Sequence, residues 1–432
     1  MNQSVWTGSV KMPEFQPLQE DKKTDVLIIG GGLCGILCAF WLENKGIPYL
    51  LVEGNKIGTG VTGNTTAKIT SHHRLIYSRL IKTLGKEKAA LYLQANQTAL
   101  ETYRLLCKTI ACDFEEKNSY VYSLNHRKDL EEEVHAINSL GGSAKFTKIL
   151  PLPFPTEGAV CFPAQAQFHP LRFLSEISKG LNICENTFVE SIERHTAYTK
   201  NGKITADQII VATHFPFLNK RGSYFLKLYQ DRSYVLALDN APDLKGIYVD
   251  ADKSGMSFRN YSDMLLLGGG SHRTGRKGGC WTELRNFASC YFPDSREKYC
   301  WATQDCMPLD QIPYIGRYSK NTPWLYTASG FQKWGMTSSI IAAMLLTDMI
   351  LHKKNDWEEI FSPSRNMLKS QLFINMAEST VNLLTPTCPR CSHLGCALKW
   401  NRNEHTWDCP CHGSRFKEDG SIINNPAKKN LR

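Results

Sequence analysis

The chain has 432 residues, 51 Lys and Arg against 41 Asp and Glu, a formal net charge of +10 at pH 7, and a hydrophobic fraction of 42%. That length allows two or three domains with ample core, and the composition is that of a globular protein. The basic residues are scattered rather than clustered with aromatics, which argues against nucleic-acid binding but suits an anionic substrate or an acidic partner.

Residues 1–22 are polar, lack the apolar core of a signal peptide, and read as a tail. The longest apolar run, 340–350, is broken by Thr347 and Asp348 and is too short to span a bilayer, so no integral membrane segment is expected. Fifteen cysteines then belong to a reducing compartment, the cytoplasm by default.

Residues 25–53 run Asp-Val-Leu-Ile-Ile-Gly-Gly-Gly-Leu-Cys-Gly, then a helix-periodic stretch, then Tyr-Leu-Leu-Val-Glu. Gly30, Gly32 and Gly35 fall as G-x-G-x-x-G directly after an apolar strand, and Glu53 closes a second strand eighteen residues past Gly35. This is a dinucleotide-binding βαβ unit. Its glycines let backbone approach a pyrophosphate at a helix N-terminus, and its carboxylate takes ribose hydroxyls. The loop 58–68, with Thr62, Thr65, Thr66 and Lys68, can serve a second stretch of cofactor. Segment 76–145 is charged and helix-periodic, best at Lys86–Leu106 and 127–140, and predicts a helical cover. Residues 151–215 return to the dinucleotide domain and end in a buried-strand run, 206–214, that carries Ala212 and Thr213. Residues 216–300 alternate like strands at 233–238 and 264–267, the latter leading into the turn 268–272. In 301–362 a glycine-rich approach with Gly330, Lys333, Gly335, Met336 and Thr337 leads into the apolar helix 338–350, and Phe361-Ser-Pro-Ser ends the domain.

These separated motifs resemble the FAD-dependent oxidoreductases of the D-amino-acid-oxidase type over residues 25 to about 365. The resemblance implies FAD and an α/β fold, with a discontinuous Rossmann-like FAD-binding domain (23–75, 151–215, 301–362) and an antiparallel-sheet substrate domain (216–300). It also implies that 333–337 presents a helix N-terminus to the flavin pyrimidine edge, where N–H groups and the helix dipole favour negative charge. Many relatives of this type carry W-A-G-x-R-P, whose arginine holds a substrate carboxylate. Here the segment is Trp301-Ala-Thr-Gln-Asp305, and a carboxylate at that place repels another. Asp305 is therefore expected to face an amine, a cation or a polyol. Lys333, Arg259 and His272 are further candidates for the catalytic pocket, with His169 on a rim loop; each of the three besides Lys333 reads equally as structural. Cys306 is expected to be a buried thiol, with covalent attachment to flavin as the alternative.

Residues 363–386 read as a linker, and 387–432 as a separate small module. The last 45 residues hold five cysteines, in two clusters whose thiol and imidazole spacing is Cys391-x-His393 and Cys409-x-x-His412. Two cysteines and two histidines suit a 2Fe–2S centre with mixed ligands. Cys388-x-x-Cys391 with Cys409 and Cys411 leaves a structural zinc site as the alternative. The pattern resembles Rieske proteins, including the extra cysteine in each cluster. That resemblance implies Cys391, His393, Cys409 and His412 as ligands of the cluster, a Cys396–Cys411 disulfide clamping the two loops, and a small all-β module. A hairpin is expected from 397–400 and 406–408.

A flavoprotein joined to such a module resembles a bacterial oxidoreductase family over nearly the whole chain. The implied function is a converter: hydride from a small-molecule substrate onto FAD, then single electrons through the cluster to an unidentified one-electron acceptor, protein or small molecule. A dioxygen-using FAD oxidase with a structural or redox-sensing cluster, and a non-enzymatic zinc-stapled nucleotide-binding protein, are the alternatives. No 2-His-1-carboxylate iron site of an oxygenase is recognisable.

Overall fold

Strand Lys22–Ile29, helix Leu33–Asn44 and strand Tyr49–Val52 form the expected βαβ unit, with the strands parallel from Val26↔Tyr49 to Ile29↔Val52. The structure is a computed structural model that describes residues 3–252 and 255–431. Strand Gly202–Val211 adds to the other side of Lys22–Ile29 in parallel, followed by Leu325–Ser329, while Ile183–Cys184 extends the sheet beyond Tyr49–Val52. Three separated stretches of chain therefore build the five-stranded parallel core of an eight-stranded sheet, as the discontinuous Rossmann-like reading requires. Its strands are apolar on both faces because both are covered. Helix Gly335–Ile350, almost wholly buried, shares one core with helix Leu33–Asn44.

A second, nine-stranded sheet holds the substrate side, in the order Arg296–Pro308, Leu228–Asp239, Met264–Arg273, Ser257–Tyr261, Ile247–Asp250, Glu115–Ser123, Gly158–Gln167 and Lys68–Ile69, with Lys145–Thr147 beside Gly158–Gln167. It is mostly antiparallel but reaches beyond 216–300. Glu115–Ser123, inside the expected helical cover, is a central strand paired parallel to Ile247–Asp250. Its charged first half hid a second half, Tyr120-Val121-Tyr122, that is well suited to a strand. The helices Lys86–Leu106 and Arg127–Ser139 stand where periodicity placed them.

Two segments read as connectors are built into the fold. In the N-terminal tail Trp6 is fully buried, its Nε1–H donating to Thr65 O at 2.7 Å, and Leu18 N–H donates to Thr187 Oγ1 at 3.0 Å. The linker contains the helix Ser370–Leu384. The C-terminal module is a four-stranded antiparallel meander, Lys399–Asn401, Thr406–Asp408, Arg415–Lys417 and Ile422–Asn424, whose first two strands are the expected hairpin. No helix among the described residues is long and apolar enough to cross a membrane.

Candidate functional site

The glycine turn has no room for side chains. Gly30 holds φ +117°, and a Cβ there would stand 2.7 Å from Ala212 O; at Gly35 it would stand 1.9 Å from Gly30 O. Only glycine lets the strand end, the helix start and the Ala212–Thr213 segment meet. Gly32 caps the helix with no side-chain partner, Gly31 N–H donates to Glu53 Oε2 at 2.7 Å, and Leu33 N–H donates to Thr62 Oγ1 at 3.0 Å. Burial raises the Glu53 carboxyl against the N–H donors that lower it. A helix N-terminus reached through a side-chain-free cradle, with a carboxylate at its side, fits the dinucleotide part of FAD.

Between the two sheets lies a cavity lined by Thr65, Thr66 and Lys68 from the threonine loop, Lys333, Gly335 and Met336 from the helix approach, and Asp231, Ser233, Ser271 and Asp305 from the second sheet. Motifs nearly 270 residues apart thus share one wall. Gln332 and Lys333 hold φ of +50° and +70°, a backbone strain of the kind kept at functional sites. This conformation sends Lys333 Nζ across to Asp231 Oδ2 at 3.0 Å, Ser233 Oγ at 2.9 Å and Ser271 Oγ at 3.1 Å. Asp305 is the direct cross-strand neighbour of Asp231. Burial pushes Asp305 up to about 6, the charge of Lys333 opposing and that of Asp231 adding. Lys68 Nζ donates to Thr66 Oγ1 at 3.1 Å and Ser257 Oγ at 3.2 Å; burial, with the charges of Arg259 and Arg74, pulls it down to about 7.

The remaining candidates are not brought to this cavity. Arg259 is fully buried behind the threonine loop, donating to Ala67 O at 2.9 Å with its guanidinium over the rings of Trp6 and Tyr261. His272 is held by the Tyr234 hydroxyl at 3.1 Å and Arg273 O at 3.0 Å. His169 caps the helix Pro170–Ile177, accepting from Arg172 N–H at 3.1 Å, and bonds Ser9 Oγ at 2.8 Å. None of the three lines the cavity. Cys306 is a buried free thiol in the core beneath the first sheet.

In the C-terminal module the two ligand loops are built alike. Cys391 N–H donates to Cys396 O and Gly395 N–H to Cys391 O; Cys409 N–H donates to Ser414 O and Gly413 N–H to Cys409 O, all at 2.9 Å. Gly395 and Gly413 hold φ of +80° and +83°, the left-handed turn that folds each loop back. Cys391 and Cys409 are buried side by side, and contact with Cys409, then burial, raises the Cys391 thiol. The imidazoles of His393 and His412 lie 4.9 Å apart at 87°, and Nδ1 of both is buried with no partner. Burial lowers His393 to about 4 and His412 to about 3, so both are neutral donors near pH 7. Two adjacent thiols and two orphaned, neutral ring nitrogens fit a Rieske cluster. Cys388 is exposed and outside this group. The expected disulfide is not formed: Cys396 and Cys411 are free thiols whose sulfurs cluster with that of Cys409 within 4.8 Å. Contact with Cys409 and Cys411 lowers the Cys396 thiol.

The module is docked through its imidazole face. Phe215 lies 6.4 Å from both imidazoles and Phe225 lies 6.2 Å from His412, ring centre to ring centre, while His393 Nε2 is 2.7 Å from Asn219 Oδ1. Buried Gln230 and Gln304 donate to His412 O and Gly413 O, each at 2.8 Å, and Asn425 Nδ2–H donates to Thr213 O at 2.5 Å. Arg232 Nε–H donates to Glu404 at 2.8 Å, and Arg415 binds both Glu404 and Asp408 at 2.9 Å. Sequence reasoning missed these residues, and Asp231 and His73 with them. His73 stacks on Trp334 at 4.7 Å beside Thr337. No motif marks them; their roles come from strand register and docking.

A family model described as FAD dependent oxidoreductase (DAO) matches residues 25–349, and one described as Rieske [2Fe-2S] domain matches 369–432. The second match takes in helix Ser370–Leu384. The chain is 35% identical over 493 aligned residues to the Rieske 2Fe-2S iron-sulfur protein YhfW of Bacillus subtilis (strain 168), covering 100% of this chain and 97% of that one. Over 37 residues, 9% of this chain, it is 54% identical to 21% of the cytochrome b6-f complex iron-sulfur subunit 1 of Synechocystis sp.. Glycine oxidase from Geobacillus kaustophilus shares the fold at a TM-score of 0.67 and 20% identity, over 80% of this chain and 100% of that one. The chain belongs to the DAO family of FAD-dependent oxidoreductases and carries a C-terminal Rieske 2Fe-2S domain.

Proposed function

We propose that the protein oxidises a small amine or hydroxyl compound in the cavity between its two sheets and delivers the electrons singly, through the Rieske domain, to an outside acceptor. Bound FAD supplies a two-electron acceptor and the 2Fe–2S cluster a one-electron carrier at a potential of roughly −150 to +300 mV. The observation that carries the reading is the packing of both cluster imidazoles against Phe215, two residues beyond Thr213 at the end of the first sheet's strand Gly202–Val211. A cluster serving only as a staple has no need to face that way.

Within the cavity, Lys333 is paired with Asp231 and offsets the charge of Asp305 only in part. Asp305 then holds a cationic or hydroxyl-bearing substrate group. Held near 6, its carboxylate is poised to take the proton that leaves the substrate's amine or hydroxyl. The strained Lys333 turn sets the helix N-terminus of Gly335–Ile350 at the cavity wall, where its N–H groups favour negative charge.

The test starts from the flavin and needs no substrate. The anaerobic holoprotein is photoreduced in light absorbed by the flavin, and the cluster is followed by electron paramagnetic resonance. The expected result is a rhombic reduced-cluster signal that grows as flavin absorbance bleaches, and electron delivery to cytochrome c that is lost in Cys409→Ser. A flavin that bleaches with the cluster still oxidised, or cytochrome c reduction unchanged in Cys409→Ser, overturns the converter in favour of the oxidase.

A further inference from the structure

The helix Ser370–Leu384 is turned inside out. Its protein-facing side is largely polar: Asn375 and Asn382 are buried, Arg273 donates to Asn375 Oδ1 at 3.0 Å, and Glu378 is paired with Arg276. Its solvent side carries Phe373, Met376, Val381, Leu383 and Leu384, exposed by 61, 46, 63, 45 and 77%. Ile374 joins them, and Leu368 extends the patch before the helix. At helical spacing these outward positions fill one half of the circumference, with no charged residue among them. An uncharged apolar half-cylinder of four turns is far more than scattered surface hydrophobes.

Its margins are basic. Lys369 caps the N-terminus, and exposed Lys277 flanks the middle beside the neutral Arg276–Glu378 pair. Arg390 at the C-terminus donates to Leu383 O at 3.2 Å and to Gly395 O at 2.7 Å, tying the patch to the ligand loop with exposed Leu394. The helix's own acid, Glu378, is consumed by Arg276. We propose that this face docks the protein on an anionic lipid surface, the helix lying in the interface plane with its apolar half among the acyl chains and its basic rim on the headgroups. Fifteen residues cannot span a bilayer but suffice to lie on one. Charge decides against a second copy of the chain: a two-fold contact would set each basic rim against its own image, whereas anionic headgroups neutralise it. The proposal stands independently of the catalytic reading.

Flotation of the holoprotein with phosphatidylcholine vesicles, with and without phosphatidylglycerol, tests it. Binding is expected only with phosphatidylglycerol and is expected to weaken as salt rises. It should fall at least about tenfold in Phe373→Ser/Leu384→Ser, and again in Lys277→Glu/Lys369→Glu. All four side chains lie at the surface, so unchanged flavin absorbance and cluster signal will show that both variants fold. The proposal is overturned by no flotation, or by flotation that neither variant weakens. It is also overturned by self-association in sedimentation that Phe373→Ser/Leu384→Ser abolishes, which would make the face an interface between copies.

Discussion

Glu404 is the hinge of the contact between the Rieske module and the flavoprotein, and Glu404→Gln removes its charge while keeping its shape. The carboxylate is 8% exposed and accepts from Arg232, from Arg415 at 2.9 Å and from the Tyr234 hydroxyl at 2.9 Å. Burial pushes it up, but the hydrogen bond and charge of Arg232, with Arg415, outweigh burial and hold it at about 2 against an ordinary 4.5. A carboxyl so depressed contributes about 3 kcal/mol at neutral pH. That contribution is present above pH 4.5 and is lost as pH falls towards 2. Removing one partner of a buried pair costs about 3–5 kcal/mol; here Arg415 keeps Asp408, so the lower end applies and Arg232 is the charge left bare. Thermal unfolding of the holoprotein, followed by cluster absorbance and flavin fluorescence, should show cluster loss about 10 °C earlier, with flavin release shifted less. Arg232→Met combined with Glu404→Gln should be no worse than the poorer single variant. A shift worth under about 1 kcal/mol, or additive singles, would refute the view that this network holds the module in place.

Three further outcomes follow from named contacts. Gly35→Ala, whose Cβ would meet Gly30 O at 1.9 Å, should cost about 3 kcal/mol and yield protein without FAD absorbance. With Asp305 held near 6, affinity for a cationic amine, read from flavin spectral shifts, should rise with pH up to that point and flatten above it. Below 6 it should fall about tenfold per pH unit, and Asp305→Asn should remove the dependence. Asn219→Leu takes away the acceptor of the His393 Nε2–H, making the imidazole a weaker donor to the cluster. A redox titration should then find the potential raised by about 40 mV.

Most of the flavin end was legible because its constraints are local. A G-x-G-x-x-G between strand and helix, an acid on the next strand, and the 3.6-residue period of Lys86–Leu106 each report on their own neighbourhood. The Rieske domain was legible for the same reason, two short loops with paired donors. What escaped depends on partners distant in sequence. Asp231 matters only through its register with Asp305 and its reach to Lys333. Arg259 was a candidate for the pocket, yet its guanidinium is taken up by Ala67 O and the rings of Trp6 and Tyr261, partners far away in sequence. Trp6 lies in a stretch too polar to suggest a buried anchor. Helix Ser370–Leu384 lies in the stretch read as a linker, and even a recognised helical period could not have said which face meets protein. Its polar half took that place because Arg273 and Arg276 had partners there.

The module's small size explains why docking and ligation fall on one surface. Its own core is Leu398, Phe416, Ala427 and four cysteines, only Phe416 of them on a strand, and its strands are three residues each. So little apolar surface cannot offset the entropy of ordering its loops, and small domains in that position rely on metal or on a partner surface. Here both act on the same residues. The backbone carbonyls of His412 and Gly413 are satisfied by Gln230 and Gln304 of the flavoprotein, and the imidazoles pack on Phe215 and Phe225. Bound iron would hold the two loops together and so keep those carbonyls and rings presented to the flavoprotein, and docking would in turn fix the loops for iron. Each contact therefore stabilises the other. A module so coupled cannot swing freely between donor and acceptor as a tethered carrier does. On the proposed reading, electrons would enter and leave with the imidazole face held against Phe215 and Phe225, which would confine an outside acceptor to the surface the flavoprotein leaves uncovered.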